Sequence, residues 1–304
     1  MAIAGGVGGA KLVLGLARLL SPDEITVVVN TGDDEEIYGL HISPDLDTIM
    51  YTLAGVYNPD TGWGLQNETF STLEKLKMYG CETWFNLGDK DFATHILRTQ
   101  MLREGATLSQ VTESLRLALG VYYPIVPITN CRLRTIVCTK EGDMRFQEYF
   151  VKYRCAPVVQ AVRFELDVSA TPTPEFKAAM GSARGVVICP SNPFLSVAPI
   201  LEVAGVRESI ESFPGLRVAV SPIVGGRALR GPAAKMLQEM GHDVSCVGVA
   251  KQYRGICDVF VIDNIDEPLA RDIENLGMDV AITSTVMDTE EDKINLAQFV
   301  CGII

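Results

Sequence analysis

Gly5-Gly6-Val7-Gly8-Gly9-Ala10-Lys11 stands near the head of the chain, between the apolar Met1 to Ala4 and an amphipathic helical pattern. Four glycines in five positions leave a backbone without Cβ atoms. Amide groups there can close on an anion at the positive end of the following helix, and a diphosphate fits such a turn. The segment is not the dinucleotide fingerprint, because G-x-G-x-x-G counted from Gly6 needs glycine where Lys11 stands. Nor is it a P-loop, which needs Gly-Lys and then Ser or Thr where the chain has Ala10-Lys11-Leu12. The plain alternative is a tight strand-to-helix turn with no ligand.

Outward from this turn, short β-branched runs alternate with helical patterns at both ends of the chain. Ile25 to Asn30, Gly185 to Cys189, Leu216 to Val220, Asp258 to Ile262 and Asp279 to Thr283 read as buried parallel strands. Helices are expected over Lys11 to Leu20, Ala228 to Met240, Pro268 to Leu276 and Glu290 to Val300. Alternation of this kind predicts an α/β fold with a doubly wound, mostly parallel sheet. Met1 to Ala4 is short for a first strand, which leaves room for a start codon upstream. The middle differs: helices over Thr69 to Met78, Phe92 to Arg103 and Leu108 to Leu119 precede β-like stretches at Arg134 to Thr139 and Arg145 to Arg154, with a hairpin turn at Glu141-Gly142-Asp143. The expected division is a nucleotide-binding core of residues 1–55 and 173–304 with an inserted α+β region over 56–172.

The 304 residues, 47% hydrophobic and 21% charged, suffice to bury a full core. No apolar run reaches the ~20 residues of a membrane span and the first twenty residues form no signal peptide, so a cytoplasmic protein without membrane partner is expected. Eight cysteines without a C-x-x-C pair read as reduced core thiols. A net charge of -12 argues against nucleic acid as a partner. An anionic small substrate then needs a metal or a local group of cations.

The run Asn30-Thr31-Gly32-Asp33-Asp34-Glu35-Glu36 follows the second strand, and Ser43-Pro44-Asp45-Leu46-Asp47-Thr48 comes soon after. Six carboxylates fall within fifteen residues at the C-terminal end of a strand, where such folds bind ligands. Carboxylates this dense repel one another unless a cation neutralises them, and oxygen ligands without Cys or His favour Mg²⁺ over zinc. Asp33, Asp34, Asp45 and Asp47 are the candidate metal ligands. The alternative is a solvated acidic loop, with Asp45 and Asp47 capping a helix that begins at Thr48.

Further loops follow strands at comparable positions. Pro190-Ser191-Asn192-Pro193 and Ser221-Pro222-Ile223-Val224-Gly225-Gly226-Arg227 lie where a nucleotide would cross the sheet. Ser191, Asn192 and Ser221 can read a base or ribose, Gly225 and Gly226 give backbone access, and Arg227 and Arg230 can fork onto phosphate oxygens or pair with surface acids. Leu87-Gly88-Asp89-Lys90-Asp91-Phe92-Ala93-Thr94-His95 opens a helix in the middle region. Asp89 or Asp91 reads equally as an N-cap, and His95 as a core histidine.

Taken in order, GGVGGAK, NTGDD, PDLDT, the Gly-Trp-Gly at Gly62 to Gly64, LGDKDFATH, PSNP and SPIVGG followed by LRGPA resemble the 2-phospho-L-lactate transferases, called CofD in archaea and FbiA in actinobacteria. The likeness runs through most of the chain. It implies a Rossmann-like fold and a Mg²⁺-dependent transfer of a phosphorylated three-carbon acid from a guanosine diphosphate ester to the ribityl hydroxyl of the deazaflavin FO. GMP is released and coenzyme F-420 is the pathway's product. By resemblance, Gly6, Gly8, Gly9 and Lys11 hold the diphosphate, and Ser191, Asn192 and Ser221 to Gly226 hold the guanosine. Asn30, Asp89, His95 and Arg227 join the substrate contacts, while Asp34 and Asp47 are the expected catalytic pair, one of them taking the hydroxyl proton. Trp63, Trp84 and Phe85 are candidates to line the deazaflavin cleft. A homodimer is expected. The alternative function is a non-catalytic nucleotide-sugar-binding regulator with the same core, although such proteins carry a glycine- and serine-rich segment where this chain has Asp34-Glu35-Glu36-Ile37-Tyr38. An NAD(P) oxidoreductase lacks its fingerprint glycine here.

Overall fold

A computed structural model describes residues 1–304. In chain order the strands are β1 (Ala2–Ala4), β2 (Val27–Val29), the hairpin β3 (Glu35–Ile37) and β4 (Leu40–Ile42), and β5 (Ile125–Pro127). There follow β6 (Leu133–Thr139), β7 (Gly142–Arg145), β8 (Val159–Leu166), β9 (Gly185–Ile188) and β10 (Leu216–Val220), then the hairpin β11 (Ile223–Val224) and β12 (Arg227–Ala228), β13 (Val259–Asp263) and β14 (Asp279–Thr283). Seven of them form one all-parallel sheet in the order β14-β13-β10-β9-β1-β2-β5. Its strands are short and rich in Val and Ile because helices cover both faces, so side chains of either parity are buried. Ile3, Val28, Ile188, Ala219 and Phe260 pack into one apolar cluster. Their neighbours Ala4, Val27, Val29, Val187 and Val220 pack into another on the opposite face.

The sheet grows outward from β1 in both directions, towards β2 on one side and β9 on the other. That reversal makes the crevice at the carboxyl ends of β1 and β9 the natural ligand site. The helix α1 (Gly6–Leu19) leaves β1 at this point, and the C-terminal helix Glu290–Ile303 packs against it. Their approach is close: a Cβ on Gly15 would meet the Lys293 carbonyl oxygen at 2.1 Å.

The doubly wound sheet is as expected, with three differences from the sequence reading. Residues 56–172 are not one insertion, because Ile125–Pro127 is the edge strand of the parallel sheet, paired with Val27–Val29. Helix α2 (Pro44–Ala54) starts at Pro44 and not at Thr48, since proline suits the first turn of a helix. The hairpin at Glu141 to Asp143 is present, but Glu148–Lys152 is a helical turn and the second partner of β6 is β8, Val159–Leu166. Of the eight cysteines only Cys189, Cys246 and Cys257 are core residues, and Cys81 is exposed. No helix is long and apolar enough to cross a membrane.

Candidate functional site

A cavity of about 620 Å³ opens at the switch point. One wall comes from strand ends of the core: Gly5, Gly6, Gly8 and Lys11 after β1, Pro190, Ser191 and Asn192 after β9, and Ser221 and Pro222 after β10. The other comes from residues 56–172 and includes Trp63, Phe85, His95, Phe146 and Phe150.

The glycine segment is not an extended phosphate loop. Gly6 already begins α1, so Gly8 and Gly9 lie in its first turn, with the amide end of the helix facing the cavity. Gly8 is glycine because the turn packs on the strand-end loop: a Cβ there would stand 2.2 Å from the Pro190 carbonyl oxygen. On Gly9 it would stand 2.8 Å from Ser191 Oγ. Ser191 Oγ donates to the Gly5 carbonyl (2.9 Å), which ties the two loops together. Lys11 Nζ donates to the Met287 carbonyl (2.6 Å), and burial followed by the Arg230 charge lowers its pKa.

The four aspartates meet here but have different partners. Asp45, in the first turn of α2, accepts from the Gly6 amide (2.6 Å) and from Asn30 Nδ2 (2.9 Å). Burial pushes its carboxyl up to about 6 against those two hydrogen bonds. Asp33 is buried, with only a long contact to Asn30 Nδ2 (3.4 Å). Burial first, then the charges of Asp45 and Asp34, raise it well above the usual carboxylate range. Asp47 is held by both terminal nitrogens of Arg98, a side chain only 1% exposed. Asp34 stands off the cavity wall, where its Oδ2 accepts from Ser43 Oγ and contacts His41 Nε2, each at 2.9 Å. Its Oδ1 is buried without a partner.

The two aspartates of the expected catalytic pair are placed differently from each other. Asp47 lines the cavity but is paired with Arg98, and Asp34 does not line it, whereas Asp33 and Asp45 line it without a cationic partner. Asn30 likewise lies behind the wall, organising Asp33 and Asp45. Asp89 is outside the cavity and accepts from Thr69 Oγ1 and from the Ser71 and Thr72 amides at the start of α3 (Ser71–Met78), which lowers its pKa to about 2. Gly225 and Gly226, at φ 55° and 72°, form the two-residue turn between β11 and β12, and the Gly225 amide is bound by Asp266. Arg227 is exposed on β12; Arg230 reaches the cavity instead, donating to the Thr61 carbonyl. Asn192 Oδ1 caps the turn Pro193–Val197 and Ser221 Oγ is bonded to Ile223, yet both line the cavity. Trp63 and Phe85 line it too, while Trp84 only packs edge-on against Phe85. The sequence reading missed Arg98, the stacked Phe146 and Phe150 with centroids 5.4 Å apart, and the Thr285 to Met287 segment after β14.

No three His, Cys, Asp or Glu side chains converge as a complete metal cage. Mg²⁺ does not need one, since it binds through one or two carboxylates and takes its remaining ligands from substrate phosphates and water. Asp33 and Asp45, which both line the cavity, fit that partial donor set.

A model of the family described as "2-phospho-L-lactate transferase CofD" matches residues 1–298. The chain belongs to this transferase family. It is 40% identical over 302 residues to a 2-phospho-L-lactate transferase of Methanothermobacter thermautotrophicus, covering 99% of this chain and 97% of that one. It is 42% identical over 282 residues to a phosphoenolpyruvate transferase of Streptomyces griseus, covering 91% and 89%. Among solved structures, protein BH3568 of Bacillus halodurans superposes with a TM-score of 0.63 at 16% identity, over 99% of this chain and 98% of that one. A second structure of BH3568, described there as a member of the upf0052 family, gives 0.64. At that identity the likeness concerns the fold alone.

Proposed function

We propose that the protein moves 2-phospho-L-lactate or phosphoenolpyruvate from a guanosine diphosphate ester to the ribityl hydroxyl of the deazaflavin FO, releasing GMP, in coenzyme F-420 biosynthesis. The observation that carries this reading is the pairing of two unlike walls in one cavity: helix amides, Lys11 and Arg230 beside Trp63, Phe85, Phe146 and Phe150. The first set suits a diphosphate and the second a flat aromatic ring. The reading includes a cytoplasmic homodimer acting on small molecules.

The chemistry forms a bond from the acceptor hydroxyl oxygen to the phosphorus esterified by the three-carbon acid and breaks that phosphorus's bond to the bridging oxygen, which leaves with the electron pair as part of GMP. Such a displacement needs positioning and charge neutralisation more than a protein nucleophile. Bound Mg²⁺ would supply neutralisation of the diphosphate charge, with Asp33 and Asp45 as the residues to hold it. Lys11, Arg230 and the α1 amides bind the donor's phosphate oxygens. The attacking hydroxyl gives up its proton to solvent or to a carboxylate not engaged with the metal as the new bond to phosphorus forms. Incubation with FO and, in turn, guanylated phospholactate, phosphoenolpyruvate and phosphoglycerate, read by mass spectrometry, tests the reading. GMP and the FO adduct are expected from at least one donor. Binding of UDP-sugars without any adduct would support the regulator instead.

A further inference from the structure

His95 and Arg98 sit one turn apart on α4 (Asp89–Arg103), both 1% exposed. Arg98 Nη1 lies 3.0 Å from Asp47 Oδ2 and 3.1 Å from His95 Nδ1. A guanidinium has donors only, so His95 Nδ1 must accept and the ring proton must be on Nε2. Asp47 cannot reverse this, because its Oδ2 is 3.8 Å from Nδ1 and already takes the Arg98 hydrogen. The Nε2 atom is buried, has no hydrogen-bond partner and belongs to a side chain in the cavity wall. Asp91 Oδ1 stands beside it at 3.3 Å, misaligned for a bond, and accepts from Tyr51 Oη at 2.7 Å. Asp91 and Tyr51 also line the cavity. A buried ring donor held only by a poorly aligned 3.3 Å contact to Asp91, beside that accepting carboxylate, is the complement of a hydroxyl group, which both accepts and donates.

We propose that Arg98 is a positioning residue that fixes His95 as the Nε2–H tautomer, and that His95 Nε2–H with Asp91 grips a hydroxyl of the acceptor's polyol chain. This rests on the acceptor reading above for the identity of the polyol. The grip places the chain against Tyr51 and Asp91, on the side of the cavity formed by α2 and α4 and away from the Pro190 to Asn192 loop.

Long-range ¹H–¹⁵N spectra of histidine-labelled protein read the tautomer without any assay, and the chain has only three histidines to assign. Wild type should show His95 protonated at Nε2. Arg98→Lys keeps the positive charge beside Asp47 but not the fork, and should give a mixture of tautomers. In steady-state kinetics His95→Leu should raise the KM for FO at least tenfold and leave the donor KM unchanged, and His95→Gln, which keeps a terminal amide donor, should recover part of the loss. His95 protonated at Nδ1, an unchanged tautomer in folded Arg98→Lys, or an unchanged acceptor KM in His95→Leu would each overturn the proposal. A wild-type enzyme that transfers to no ribityl acceptor would instead sink the functional reading, and does so before any variant is made.

Discussion

The two walls of the cavity are built on different principles. The core wall is backbone: helix amides, strand-end loops and glycines whose missing Cβ atoms let one loop press on the next. The opposite wall is side chain: His95 and Asp91 from α4, Trp63 from a loop, Phe146 and Phe150 from around a helical turn. Asp45 and Asp47 show the contrast within two residues of α2, one bonded to a backbone amide and an asparagine, the other to a buried arginine. A wall made of backbone is fixed by the fold, and one made of side chains can change without changing the fold.

The largest expected effect lies on the side-chain wall. Arg98→Met leaves the Asp47 carboxylate buried without a partner and should cost about 3–5 kcal/mol in a denaturant titration. A loss near zero would show that water reaches Asp47 and that the wall is not a packed one.

On the backbone wall the corresponding effect depends on pH. The Asp45 carboxyl, raised to about 6 from an ordinary value of 3.8, stays protonated in the folded chain after the unfolded chain has ionised. Its contribution is thus fully present below about pH 4 and is lost as pH rises through about 6, by about 3 kcal/mol. Without metal, the stability difference between wild type and Asp45→Asn should shift against wild type over that interval, and Mg²⁺ with GDP should reverse the shift. A pH-independent difference would mean that Asp45 is charged throughout.

Gly8→Val should cost roughly 1–3 kcal/mol through the clash with the Pro190 carbonyl, because the Gly8 backbone itself accepts any residue. Full stability with donor binding lost would restore the open phosphate loop. Smallest is Asp89→Ala, which loses the hydrogen bonds at the start of α3 and should lower the melting temperature slightly, with kcat unchanged.

The core wall was legible in the sequence because glycine, proline and β-branched runs mark strand ends directly. Val27 to Val29, Leu216 to Val220 and Asp279 to Thr283 lie within the runs read as strands. Strand β5 gives little signal because only Ile125, Val126 and Pro127 pair with the sheet, directly after Pro124. Arg98 was invisible for another reason: an arginine on a helix reads as solvated charge until the carboxylate it meets, fifty-one positions earlier in the chain, is brought beside it. The roles of the aspartates were set in the same way, by Ser43, Asn30, Gly6 and Arg98 rather than by their spacing.

The central claim is that the Asp33 and Asp45 carboxylates hold a divalent cation against the donor's diphosphate. Calorimetry of GDP binding to wild type and Asp33→Asn, with and without Mg²⁺ and with melting followed in parallel, tests it most directly. The account predicts that Mg²⁺ strengthens GDP binding to wild type at least tenfold and not to Asp33→Asn, while the metal-free variant melts higher than wild type above neutral pH because a crowded buried carboxyl has been removed. The same Mg²⁺ dependence in both proteins would contradict it.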